Sequence, residues 1–175
     1  FAHAFDEAAA VALLDSAHAY STDSTYDAIN RVVSATTPDG SVQSFLFNEA
    51  NLLNSVTLRH RGATTVQPIV ANIDYNEKGQ RTRIEYGNGV ATDYTYDVLT
   101  LRLRRLLTRR RSGSPRLLQD LNYTYDAVGS ITRIRDAAHQ TVYFAGQAVD
   151  PMSRYQYDAL YRLVDELGLS LPELG

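Results

Sequence analysis

Asn72-Ile73-Asp74-Tyr75-Asn76-Glu77-Lys78-Gly79, followed by Ile84-Glu85-Tyr86-Gly87-Asn88-Gly89-Val90 and Tyr94-Thr95-Tyr96-Asp97, decides the fold. Tyr75, a short amide, two variable residues and Gly79 read as a tight turn. The Asn side chain can bond its own backbone, and the fifth position tolerates positive φ. Ile84-Glu85-Tyr86 then reads as a strand, and Asn88-Gly89 as a type I′ reversal with both central residues at positive φ. The return strand alternates with period two, putting Tyr94 and Tyr96 on one face and Thr95 on the other.

The same plan recurs along the chain. Tyr26-Asp27-Ala28-Ile29-Asn30, Tyr96-Asp97-Val98-Leu99-Thr100, Tyr125-Asp126-Ala127-Val128-Gly129 and Tyr157-Asp158-Ala159-Leu160-Tyr161 align with the Tyr75 unit, and Phe47-Asn48-Glu49-Ala50-Asn51 is a degenerate copy. Tyr26 is followed 13 residues later by Asp39-Gly40 and Tyr75 by Asn88-Gly89, and each next unit begins at 21 residues, at Phe47 and Tyr96. The paired aromatics Phe45 and Phe47, Tyr123 and Tyr125, and Tyr155 and Tyr157 extend an aromatic ladder on one side of a sheet. A single hairpin is too small to stand alone, so the units must stack. The Tyr125 copy is expected to run out through Ile131–Ile134, reverse near Ala137-Ala138-His139 and return through Thr141-Val142-Tyr143-Phe144, with an inserted loop over Gly146 to Ser153. Between Ser55 and Asn72, β-branched residues broken by Gly62 and Pro68 read as strand, turn and strand.

Outside the repeats, Asp6-Glu7 ahead of the apolar run from Ala8 to Leu14 favour a short helix or an irregular lead-in over residues 1–23. Residues 24–166 form the repeat region, and 167–175 read as a tail or segment boundary. The apolar run is far too short to cross a bilayer, for which about 20 residues are needed. No basic segment precedes it, as a signal peptide would require. The 175 residues carry a net charge of -3, which gives no global attraction to nucleic acid or anionic lipid. With no Cys, disulfides and thiolate metal sites are excluded.

Candidate chemistry is sparse. Arg102, Arg104, Arg105, Arg109, Arg110, Arg111 and Arg116 cluster, and Arg109, Arg110 and Arg111 form a candidate partner contact. The plainer reading makes Leu99-Thr100-Leu101-Arg102-Leu103-Arg104 a half-buried strand leading to a solvated hairpin tip. The four His, at 3, 18, 60 and 139, have no metal-ligand spacing, and no metal or other cofactor is expected. The recurrent Asp could be taken for calcium ligands or a catalytic carboxylate pair, but a residue that recurs once per repeat fits a turn that recurs once per repeat. No Gly-rich phosphate loop or nucleophile elbow occurs, so no active site is expected.

From Asn72 to Leu163, and more loosely over residues 24–166, the Tyr-Asp units resemble the YD repeats of the Rhs family and the repeat region of the B and C components of bacterial insecticidal toxin complexes. The resemblance implies an all-β chain of consecutive antiparallel hairpins forming part of an extended, curling sheet. It implies a structural segment of a secreted shell around a toxin polypeptide. Neighbouring repeats of the same or a partner subunit would be its partners, with a channel-forming component an indirect one, and neither nucleic acid nor a membrane segment involved. The repeat positions that carry over are Tyr26, Asp27, Tyr75, Gly79, Tyr96, Asp97, Tyr125, Asp126, Gly129, Tyr157 and Asp158. Asp39, Gly40, Asn88 and Gly89 are the expected hairpin turns. Phe47-Asn48, Thr100 and Tyr161 depart from the pattern, and neither the family's self-cleaving aspartates nor its propeller has a match. The alternative is a binding module that meets glycan, nucleic acid or protein through exposed Tyr and the Arg-rich hairpin.

Overall fold

The computed structural model describes residues 13, 19–111, 113, 116–144 and 147–167. The expected helix after Asp6-Glu7 and nearly all of the 167–175 tail lie outside the described residues. The described residues form fourteen strands and no helix: β1 (Asp23–Tyr26), β2 (Val32–Thr36), β3 (Val42–Phe47), β4 (Leu53–Arg59), β5 (Gln67–Tyr75), β6 (Arg81–Tyr86), β7 (Val90–Tyr96), β8 (Leu103–Arg110), β9 (Arg116–Tyr125), β10 (Ile131–Asp136), β11 (Val142–Phe144), β12 (Gln147–Val149), β13 (Met152–Tyr157) and β14 (Leu163–Leu167). The protein is all-β and built of consecutive antiparallel hairpins. Thr, Tyr, Val and Ile recur through the strands, and Gly, Asn and Asp occupy most of the reversals.

The chain divides into two compact units, Phe1–Ser44 with Leu58–Val66, and Phe45–Thr57 with Gln67–Gly175. In the first, β1 pairs with β2 and β2 with β3, all antiparallel. The Ser41 hydroxyl is buried there and accepts the Arg61 N–H at 3.1 Å. In the second, β5 through β10 pair antiparallel in chain order, and β10 then pairs with β13 and β13 with β14.

Register gives the second unit two distinct faces. One carries Ile73 opposite Ile84, Ile84 opposite Thr92, Tyr94 opposite Leu106, Leu106 opposite Leu121 and Tyr123 opposite Ile134. The other carries Asp74 opposite Arg83, Arg83 opposite Asp93 and Leu107 opposite Asp120. Among the described residues the buried apolar side chains are Ile73, Ile84, Ala91, Leu107 and Pro151. Most domains cover a sheet with a second layer. Within the second unit the contacts between elements run between strands paired in the sheet and in the β11–β12 hairpin.

Three local expectations are corrected. The Asp39-Gly40 and Asn88-Gly89 reversals are not type I′, because only Gly40 (φ 82°) and Gly89 (φ 78°) are left-handed. The Gly40 N–H donates to the Thr37 carbonyl at 2.8 Å and the Gly89 N–H to Tyr86 at 3.1 Å, so each is a type I turn closed by a left-handed glycine. Asp39 and Asn88 stabilise it from the third position, accepting the Ser41 and Val90 N–H groups at 3.0 and 3.1 Å. Second, Leu99 to Arg102 belong to a turn and not to a strand. Asp97 accepts the Leu99 and Thr100 N–H groups and the Thr100 hydroxyl, which holds the turn one residue longer and moves its left-handed position from Thr100 to Leu101 (φ 59°). Third, the partner of β10 is β13, with Arg135 opposite Met152, whereas Val142–Phe144 pairs with Gln147–Val149 in an inserted hairpin. Asp136 caps the end of β10 by accepting the Asp120 and Ala138 N–H groups at 2.9 and 3.0 Å, which diverts the chain from direct return.

Candidate functional site

The Tyr-Asx turns share one construction. Asp27 Oδ1 accepts the Ile29 and Arg31 N–H groups at 3.0 Å each, and Asn76 Oδ1 accepts those of Lys78 and Gln80 at 3.0 Å. Asp126 takes Gly129 and Ser130 at 2.7 and 2.9 Å, and Asp158 takes Leu160 and Arg162 at 2.8 and 2.9 Å. Each turn then passes through a left-handed residue: Asn30 at 63°, Asn51 at 63°, Gly79 at 74°, Gly129 at 113° and Tyr161 at 60°. The Arg31 N–H holds the Asp27 carboxyl below its usual range, the Thr100 N–H does so at Asp97 and the Arg162 N–H at Asp158. At Asp126 burial pushes the carboxyl up but is outweighed by the N–H donors of its own turn. Carboxylates whose oxygens are occupied by their own turns are poor metal ligands and poor bases.

The tyrosines join successive units. The Tyr75 hydroxyl donates to the Leu53 carbonyl at 2.6 Å, Tyr96 to Arg81 at 2.9 Å, Tyr125 to Leu103 at 2.7 Å and Tyr157 to Ile131 at 2.9 Å. Every acceptor is the first residue of the strand that follows the preceding turn. Phe47 has no hydroxyl to give, and Tyr26 is more than half exposed. Burial pushes the phenols of Tyr94, Tyr96, Tyr123 and Tyr125 up from their ordinary value.

Two further residues tie turn to turn. Gln80 Nε2 donates to the Leu101 carbonyl at 2.8 Å, and Arg102 Nη1 to that of Asp126 at 3.2 Å. The Arg102 guanidinium also lies 5.7 Å above the Tyr125 ring centroid, and a Cβ on Gly129 would come within 2.6 Å of its Nη2. Gly129 therefore serves both a left-handed backbone and a close approach. The sequence signal for these residues is a long polar side chain directly after the left-handed position, as Gln80 follows Gly79 and Arg102 follows Leu101.

The remaining arginines divide by location. Arg105 grips Asp120 through two bonds of 2.6 and 2.7 Å, which hold that nearly buried carboxyl below its usual range. Arg83 pairs with Glu85 and Asp93 at 2.9 Å each. Arg109, Arg110, Arg111 and Arg116 gather with Arg105 around a hollow of about 410 Å³ at the far end of the β8–β9 hairpin, with Asp120 as its carboxylate. A second hollow of about 750 Å³ is lined by Leu121, Ile134, Val142, Val149 and Met152, beside the inserted hairpin. Among the described residues no group of three or more His, Asp or Glu could hold a metal ion, and no helix is long and apolar enough to cross a membrane.

No protein-family model matches the sequence. The chain is 36% identical over 151 residues to toxin subunit YenC1 of Yersinia entomophaga, an alignment covering 85% of this chain and 15% of that subunit. It thus spans about 15% of the length of this curated relative. Among solved structures, the Photorhabdus luminescens Tc holotoxin pore superposes with a TM-score of 0.74 at 36% identity, over 95% of this chain and 8% of that one. The crystal structure of TcdB2-TccC3 without its hypervariable C-terminal region superposes with a TM-score of 0.75 at 36% identity, again over 95% and 8%.

Proposed function

The chain belongs to the Rhs/YD-repeat family, related across most of its length to toxin-complex subunits, and from that premise we propose that it is a structural segment of a secreted repeat shell enclosing a toxin polypeptide. Residues 24–166 then form the repeat-bearing part, between a lead-in over 1–23 and a tail over 167–175. The partners are neighbouring repeats of the same or a companion subunit, the enclosed polypeptide and, indirectly, a channel-forming component. The chain is structural and not an enzyme. Tyr26, Tyr75, Tyr96, Tyr125 and Tyr157, with their Asx partners, act as the repeat-defining positions.

The observation that carries this reading is the recurring bond from a Tyr hydroxyl to the strand start of the unit before it, at Tyr75, Tyr96, Tyr125 and Tyr157. Such a joint adds units without a separate core, which suits a wall that must be extended and thin. Enclosure also gives a role to a hypervariable C-terminal region such as the one removed from TcdB2-TccC3. The test uses the full-length subunit that carries this segment, assembled with its companion. Changing Tyr96, Tyr125 and Tyr157 to Phe removes three joints, each contributing about 0.5–1.5 kcal/mol. The enclosed polypeptide should then be digested by protease that spares it in the parent. Equal digestion in the parent and the variant would exclude enclosure by this segment.

A further inference from the structure

The end of the β8–β9 hairpin is poorly balanced as a folded surface. Arg110 stands directly opposite Arg116 across the strand pair, and like charges in that position repel. Arg109, Arg111 and Arg105 face the same hollow, where Asp120 is the lining carboxylate and is already engaged by Arg105. Among the described residues, Arg109, Arg110, Arg111 and Arg116 form no ion pair. Leu107 and Leu117 line the hollow as well, with Leu107 buried and Leu117 partly exposed.

We propose that this hollow is a docking site for an acidic polypeptide segment, in which a carboxylate is held by Arg109, Arg110 and Arg116 and a neighbouring apolar side chain rests on Leu107 and Leu117. The role is additional to enclosure and does not depend on it. Planar guanidinium groups match a carboxylate through paired N–H bonds, as the Arg105–Asp120 contact already does within the fold. Nucleic acid fits less well. No aromatic ring lines the hollow to stack a base.

The test titrates the full chain with a fluorescent peptide of alternating Glu and Leu, with a Gln-for-Glu peptide and a single-stranded DNA oligomer as controls. Saturable binding of the Glu peptide is expected, weakened about tenfold or more in an Arg109→Gln, Arg110→Gln, Arg116→Gln variant and unchanged in Arg104→Ala. The single change Arg116→Glu separates binding from folding. It places an acid opposite Arg110, so the melting temperature should hold or rise while peptide binding is lost. Equal binding by the parent chain and Arg116→Glu, equal binding of the Gln peptide, or tighter binding of the DNA would each overturn the proposal.

Discussion

At Tyr125 ring and hydroxyl serve different ends: the ring lies beneath the Arg102 guanidinium, while the hydroxyl reaches the Leu103 carbonyl of the preceding unit. The side chain of the Asx residue that follows each such tyrosine bonds only within its own turn, and its ionised form is what the turn holds. The Asp27, Asp97, Asp126 and Asp158 carboxyls lie below their ordinary value in the folded chain, and Asp39, bonded first by the Thr37 hydroxyl, lies at about 2. A depressed folded value means stabilisation that is complete above the unfolded value of about 3.9 and is lost as pH falls through the folded one. Urea midpoints should therefore stay level near neutrality and drop between about pH 4 and pH 2. Replacing Asp27, Asp97, Asp126 and Asp158 together by Asn, the residue already used at Asn48 and Asn76, should flatten that drop. A variant as acid-sensitive as the parent would show that other carboxylates govern it.

Among the elements, the β6–β7 hairpin shows two different reasons for glycine in one turn. Gly89 is required by its φ of 78°, but Gly87 is not left-handed. Its constraint is proximity: a Cβ there would lie 1.7 Å from the Pro68 carbonyl oxygen, and its N–H bonds Ile69 at 3.2 Å. Gly87→Ala should push β5 from β6 and destabilise by roughly 1–3 kcal/mol. Gly40→Ala meets nothing within 4 Å and suffers only from its φ of 82°, for a cost of about 1 kcal/mol. Chemical denaturation of the two variants should rank Gly87→Ala as the more damaged, and the reverse order would discount the contact with β5.

For the molecule as a whole, the inserted β11–β12 hairpin tests which parts the repeat needs. β10 and β13 already pair across it, with Ile134 opposite Ser153 and Arg135 opposite Met152. Replacing residues 137–151 by Asn-Gly should leave the far-ultraviolet sheet signal intact and the melting temperature within a few degrees, since loop length costs little. Collapse of that signal would make the insertion a structural member. The tyrosine spacing, the period-two strands and the reversals at Gly40 and Gly89 were legible in the sequence, because turn chemistry and side-chain alternation are local and act within a few residues. The turn type at Asp39, the extra residue before Leu101 and the partner of β10 were not. The first two depend on which of several donors two or three residues away a carboxylate captures, which residue type alone leaves open, and the third on a bond to Asp136 from Asp120 of the neighbouring strand. The same holds for the Tyr hydroxyl bonds, Arg102 over Tyr125 and Gly87 against Pro68. They join residues 15 or more positions apart, so only the tertiary arrangement brings donor and acceptor within reach.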